Sequence, residues 1–289
     1  MSRPLRVEYS GAVYHVTSRG NEKKCIFRSE RDRELFIYVL RQTIARFHWL
    51  CHGYVLMENH YHLLIETPEP NLSRGMRQLN GVYSQSFNRL HQRVGHLFQG
   101  RFNAVVVDKD AYLLQVCRYI LLNPVRAGLI DRPENWEWSS CRALAGMADI
   151  PDFLTVNWLR VQFGCAPDKS GKAFLDYIFR GMDEEYPHEA LVGQVVLGRK
   201  KFIRTIAGKV REKTEMKEIP RQQRYSAGTD LDVIFQSGAR QGERPETTIY
   251  KAYVDGGYTM REIAEYLNVH CTSVSLAIKK HEENMHTIL

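Results

Sequence analysis

Two histidines separated by one residue stand in the stretch Met57-Glu58-Asn59-His60-Tyr61-His62-Leu63-Leu64-Ile65-Glu66. In an extended strand, alternate side chains share a face, so His60 and His62 project to one side and Tyr61 to the other. Spaced about 7 Å along that face, two imidazoles can converge on one divalent cation. On its own the pattern also describes two ordinary surface histidines on a half-buried strand. A second stretch some sixty residues on changes the balance. Asp110 is expected to cap a helix over residues 111–122, which Asn123-Pro124 stops because proline disfavours a preceding α-conformer. Leu113, Val116, Cys117 and Ile120 form one face of this helix, while Tyr112, Gln115, Tyr119 and Asn123 form a polar stripe opposite. Tyr119 and Asn123 lie one turn apart and look the same way.

These side chains need a sheet and helices to bring them together. Residues 11–18 are β-branched and aromatic and read as a first strand. Residues 19–24 form a basic, turn-forming loop. Ser29 offers an N-cap to a helix over 31–47, whose apolar residues Leu35, Phe36, Val39, Leu40, Ile44 and Phe47 keep helical spacing. Residues 49–57 and 60–66 read as a hairpin closed by Glu58-Asn59. After Pro68-Glu69-Pro70 comes a second long helix over 72–90, with Leu72, Met76, Leu79, Val82, Tyr83, Phe87 and Leu90 in one stripe. An apolar strand follows at 103–107. Strand, helix, strand, strand, helix, strand is the split pattern of an α+β, ferredoxin-like antiparallel sheet with helices on one face.

Trp136 and Trp138 close this block as packing anchors. From about residue 146 the texture changes. Residues 152–163 and 172–179 are expected to be short helices separated by Pro167-Asp168-Lys169-Ser170-Gly171. Residues 199–217 are strongly basic, and both a solvated helix face and a phosphate-tracking patch are consistent with that. Near the end, Thr259 can cap a helix containing Ile263, Ala264 and Leu267. Asn268 stands where a left-handed turn residue is needed, and a second helix puts Val274, Ala277 and Ile278 inward. Thr272, Ser273, Ser275 and Lys279 are then available outward. This all-α ending has the marks of a helix-turn-helix. The expected division is 1–145 for the sheet domain, 146–225 for a helical basic connector and 226–289 for the helix-turn-helix.

The chain's 289 residues suffice for a well-buried core, and 44% hydrophobic with 25% charged residues is ordinary for a globular protein. A net charge of +7 and a pI near 9 make a polyanionic partner plausible without demonstrating one. The six cysteines contain no Cys-x-x-Cys pair and read as reduced thiols. No run approaches membrane-spanning length and the start lacks a signal-peptide core, so a cytoplasmic, membrane-free protein is expected.

Taken together, the His-Tyr-His strand, Gly95 to Phe102, Tyr119-Ile-Leu-Leu-Asn-Pro-Val-Arg-Ala-Gly-Leu129 and Trp136 to Ser140 resemble the single-strand DNA tyrosine transposases of the HUH nuclease superfamily. The likeness is greatest to the REP-associated tyrosine transposases and covers about the first 145 residues. It implies the HUH nuclease fold and a metal-dependent endonuclease and strand transferase acting on hairpin-forming repeat DNA. Tyr119 would be the nucleophile, forming a 5′-phosphotyrosine and a free 3′-OH. Tyr112, two turns and about 10 Å further from Asn123, is the weaker candidate. His60, His62 and Asn123 would hold Mg²⁺ or Mn²⁺, since mixed nitrogen and oxygen ligands without thiolate fit these ions. Gln115 would support the site from behind, and Glu58 or Glu66 could add a ligand or base. Tyr61, where the family usually has an aliphatic residue, should pack rather than react. Arg19, Lys23, Lys24, Arg101, Arg118 and Arg126 are nominated as DNA contacts. The helix-turn-helix, additional to the minimal family domain, would read duplex DNA through Thr272, Ser273, Ser275 and Lys279. The alternative is a DNA-binding regulator carrying an inactive nuclease domain. Whether the protein is a monomer or a dimer is left open.

Overall fold

A computed structural model of the chain describes residues 7–164, 167–184, 186–211, 230–254, 258 and 260–286. Glu8–Ala190 forms one compact unit, and the residues from Leu191 onward fall in a second. Residues 146–190 therefore belong with the sheet domain rather than with a separate connector beginning at 146. They are held there by packing of aromatic residues that composition alone does not reveal.

The first unit is built on β1 (Ala12–Arg19), α1 (Glu30–Phe47), β2 (Leu50–Leu56), β3 (His60–Thr67), α2 (Leu72–Leu90) and β4 (Asn103–Val107). These strands line up in the order β2-β3-β1-β4, and their pairings are antiparallel. That is the ferredoxin-like arrangement expected from the element order. Ser29 caps α1 in a capping box with Asp32, whose buried carboxylate also meets the His91 imidazole at 2.8 Å. On one face of the sheet, Tyr61 is fully buried. Its ring lies 4.7 Å from Phe36 of α1, and its hydroxyl donates to Asn80 of α2. Trp136 and Trp138 anchor the chain along β2: the Trp136 indole donates to the Leu56 carbonyl, and the Trp138 carbonyl accepts from the Leu56 amide.

The other face of the sheet receives α3 (Lys109–Leu121), which packs against β2 and β3. Its N-cap is Asp108 rather than Asp110; the Asp108 carbonyl accepts from the amides of Ala111 and Tyr112. At the other end Asn123-Pro124 does not break the chain into a loop. A further helical turn, α4 (Asn123–Arg126), follows, because proline is tolerated in a first turn where its missing N–H has no intrahelical partner. The same reason corrects the separator expected at 167–171. α5 (Cys141–Leu144) and α6 (Asn157–Phe163) are followed by α7 (Pro167–Arg180), which starts at the proline and runs through Gly171. A side chain at Gly171 would sit 2.1 Å from the Ala145 carbonyl, so glycine here permits close approach rather than a turn.

In the second unit a small hairpin, β5 (Leu191–Val192) with β6 (Val196–Leu197), precedes α8 (Lys200–Arg211). The remainder of the basic stretch, including Lys213 and Lys217, lies outside the described residues. Four helices follow: α9 (Leu231–Arg240), α10 (Pro245–Val254), α11 (Met260–Leu267) and α12 (Cys271–His286). Ile249, Ala252, Ile263, Ala264, Val274 and Ile278 make their shared core. Asn268 adopts φ 52° between α11 and α12, the left-handed turn residue the sequence called for. Thr259, the expected cap, lies outside the described residues. The five described cysteines are free thiols, and Cys165 lies outside them. No described helix is long and apolar enough to cross a membrane.

Candidate active site

Strand register decides what surrounds the paired histidines. β1 runs antiparallel to β3 with Arg19 opposite His60, Thr17 opposite His62 and His15 opposite Leu64. Opposed residues share a face, so His15, Thr17 and Arg19 stand on the same side as His60 and His62. α3 crosses this face and brings Tyr119 to it. The His62 and Tyr119 rings are 6.1 Å apart, edge to face, and the His60 and His62 rings 5.0 Å apart. The sheet and helix thus bring together His60, His62 and Tyr119, the grouping that the motif resemblance implied. Asn123 follows Tyr119 by one helical turn.

The hydrogen bonds around these groups settle which atoms remain free. Asn59 donates its amide N–H to the Lys23 carbonyl at 3.0 Å, which turns its oxygen toward His60 Nδ1, 2.7 Å away. That oxygen only accepts, so His60 carries its proton on Nδ1 and keeps a lone pair on Nε2. Asn123 donates through Nδ2 to the carbonyls of Tyr119 at 2.9 Å and Ile120 at 3.2 Å, which leaves Oδ1 without a hydrogen-bond partner. His62 Nδ1 is 2.8 Å from His15 Nε2, so Nε2 is again the ring nitrogen left over. Two imidazole nitrogens and one amide oxygen are the hard and borderline donors that Mg²⁺ or Mn²⁺ accept, and this donor set fits such an ion. Among the described residues no three His, Cys, Asp or Glu side chains are grouped to hold a metal, so an amide would have to contribute.

Burial keeps the imidazoles neutral. Burial pushes His15 down to about 4, and burial with the neighbouring Arg19 charge does the same to His60. His62 is pushed well below the ordinary histidine value, by burial first and then by His15 and His60. Neutral imidazole is the metal-binding form.

Glu66, weighed as a further ligand or base, is engaged elsewhere. It bonds His52 Nε2 at 2.8 Å and Lys109 Nζ at 2.7 Å. Burial would raise its carboxyl, but His52 and Lys109 outweigh that and hold it below the usual range. Glu58 is exposed, and its carbonyl accepts from Ile26 and Phe27. Gln115 is half-buried on α3.

The nominated basic residues divide. Arg19, Lys23, Lys24 and Arg101 are exposed, and Lys24 pairs with Glu22 at 2.6 Å. The loop carrying the two lysines depends on Gly20, where a Cβ would lie 2.0 Å from the Lys24 carbonyl oxygen. Arg126 is exposed with its guanidinium 4.9 Å from the centre of the Tyr119 ring. Arg118 is a correction: it is only 6% exposed, stacks 4.4 Å over the Tyr177 ring and pairs with Glu184. Helical period put it beside Tyr119 in sequence, but α7 covers that side of α3. Of the four helix-turn-helix nominations, Thr272, Ser273 and Ser275 are exposed on α12, and the side chain of Lys279 lies outside the described residues.

Two residues at the site were not anticipated. His15 lies against His62, with ring planes 21° apart, and Tyr186 packs its ring 4.7 Å from Tyr119, edge to face. Tyr186 is 7% exposed; burial and then Tyr119 push its hydroxyl well above the ordinary tyrosine value. In β1 the Val-Tyr-His-Val alternation puts His15 on one face, but only the register with β3 says which neighbour it meets.

Residues 8–123 match the family model described as transposase, IS200-like. A solved structure described as a REP-associated tyrosine transposase bound to a REP hairpin matches 54% of this chain and 92% of its own. The identity is 16% and the TM-score 0.45. None of the curated proteins matches the chain. The family match runs from just before β1 to Asn123 and so includes His15, His60, His62, Tyr119 and Asn123. Over residues 8–123, less than half of its length, the chain is therefore similar to the IS200-like transposases.

Proposed function

We propose that the protein is a metal-dependent single-strand DNA endonuclease and strand transferase with Tyr119 as its nucleophile. One observation carries this reading: the His62 ring lies beside the Tyr119 ring, and hydrogen bonds leave a lone pair on His60 Nε2 and leave His62 Nε2 and Asn123 Oδ1 without partners. Mg²⁺ or Mn²⁺ held there would neutralise the non-bridging oxygens of a phosphodiester. The Tyr119 oxygen attacks phosphorus and forms a phosphotyrosine bond to the 5′ side. The bond from phosphorus to the 3′ oxygen breaks, that oxygen takes up a proton from water and leaves as a 3′-OH, and the phenolic proton passes to water. Arg126 over the Tyr119 ring holds the phenol in place and brings positive charge to the attacking group. Because the phosphotyrosine conserves the energy of the broken bond, a second 3′-OH can reverse the step and join strands.

The substrate class we propose, hairpin-forming single strands of repeat elements, follows from the motif resemblance. Arg19, across from His60, and the exposed Lys23, Lys24 and Arg101 would position its phosphates. α11 and α12 with their Asn268 turn would act as a helix-turn-helix on duplex DNA, with Thr272, Ser273 and Ser275 outward. The second reading, a regulator that binds without cutting, rests on those same two helices. Hairpin-containing single strands incubated with Mn²⁺, with and without chelator, separate the two. The enzyme reading expects chelator-sensitive cleavage that Tyr119→Phe abolishes. Tight binding with no cleavage at any Mn²⁺ concentration would favour the regulator.

A further inference from the structure

Behind His62 lies a chain of hydrogen-bonding groups that the phosphodiester chemistry does not itself use. His62 Nδ1 meets His15 Nε2 at 2.8 Å, and His15 Nδ1 meets the Tyr186 hydroxyl at 3.4 Å. His15 and His62 are 6% and 7% exposed, so no bulk water competes for these nitrogens. Such a chain can run in two directions. If Tyr186 donates to His15 and His15 to His62, the His62 proton must sit on Nε2, and no lone pair is left at the site. If His62 donates to His15 and His15 to Tyr186, Nε2 is bare. Only the second direction matches His60, whose proton Asn59 fixes on Nδ1.

We propose that His15 and Tyr186 are positioning residues of this site: they hold the His62 ring and its Nδ1 proton so that Nε2 stays available as a ligand. The inference rests on the metal-dependent reading above. It gives Tyr186, outside the 8–123 family match, a part in the site. Tyr186 is not a second nucleophile, because its hydroxyl ends the chain on the far side of His15 from His62, and its ring packs against Tyr119. Gly181 helps seat the segment that carries it: a Cβ there would lie 2.3 Å from the Arg118 guanidinium, which pairs with Glu184.

The test reads tautomer and metal affinity on the full chain, without DNA. Long-range ¹H–¹⁵N spectra of the metal-free protein should show His62 protonated at Nδ1. Mn²⁺ binding, followed by the loss of the free-ion paramagnetic resonance signal, should weaken about tenfold or more in His15→Leu. His15→Gln, whose amide oxygen can accept from His62 Nδ1, should recover most of that affinity. Tyr186→Phe keeps the ring packing and removes only the hydroxyl, so it should shift the His62 tautomer with a loss of a few fold and an intact fold. A His62 proton found on Nε2 in the wild type would overturn the proposal. So would Mn²⁺ binding that His60→Ala abolishes and His15→Leu or Tyr186→Phe leaves unchanged; in that case the metal reading stands. Absence of Mn²⁺ binding in the wild type would overturn the metal reading and this inference with it.

Discussion

Acid should unfold the first unit through its buried histidines, and His15 gives the cleanest measure. Burial holds this imidazole at about 4 in the folded chain, against about 6.5 when unfolded. Between those values the unfolded chain takes up a proton that the folded chain refuses. The stabilisation is therefore intact above about pH 6.5 and is lost progressively as pH falls toward about 4. From pH 7 to pH 5, the difference for this one group comes to about 2 kcal/mol. Full burial means that no discount for solvent screening applies. His60 and His62 are lowered in the same direction, so the wild-type drop should exceed that of a single group. The assay is urea unfolding in the presence of chelator, followed by tryptophan emission. All four tryptophans, Trp49, Trp136, Trp138 and Trp158, lie within Glu8–Ala190, so the signal reports that unit alone. His15→Gln, which cannot titrate, should lose about 2 kcal/mol less than the wild type between pH 7 and pH 5. Parallel losses in the two proteins would refute the reasoning, because His15 would then be no more protected from protons than an exposed histidine.

Other expectations follow from the same geometry. Glu184→Ala leaves the buried Arg118 guanidinium without its carboxylate partner and should cost about 1–2 kcal/mol in the tryptophan-monitored unfolding, reduced from the buried-pair range because Glu184 is itself half exposed. Gly75→Ala drives a Cβ to within 2.1 Å of the Trp49 ring. It should destabilise the same unit by about 1–3 kcal/mol, with a shifted emission maximum as the indole moves. Thr272→Ala with Ser275→Ala should weaken duplex DNA binding several-fold in a fluorescence anisotropy titration while leaving the yield of cleaved hairpin unchanged. Equal loss of both activities would place these residues at the cleavage site instead.

The sheet was legible because its strands alternate and its helices keep a 3.6-residue stripe, both local signals. Ser29, Tyr61 and Asn268 are further cases in which one residue's chemistry fixes its local role. His60, His62 and Tyr119 were legible as a set because the strand and the helix end that carry them resemble those of the single-strand DNA tyrosine transposases. What escaped was non-local. His15 is one histidine in an apolar strand, and its partner depends on antiparallel register with a strand some forty-five residues away. Tyr186 lies beyond α7, and no periodicity ties it to Tyr119. Pro167 and Pro124 were read as breaks because proline's preference for a first helical turn looks the same in sequence as its habit of ending a helix. Arg118 was assigned to the surface because one helical turn says nothing of which helix packs across it.

The central claim is tested most directly by finding which side chain becomes bonded to DNA. A hairpin-containing single strand is incubated with the protein and Mn²⁺, the covalent product is isolated under denaturing conditions, and the nucleotide-bearing peptide is identified by mass spectrometry. The account predicts a phosphodiester to the Tyr119 oxygen, with the 5′ phosphate retained on the protein. A nucleotide on Tyr112, Tyr186 or another residue, or an adduct of undiminished yield in Tyr119→Phe, would contradict it.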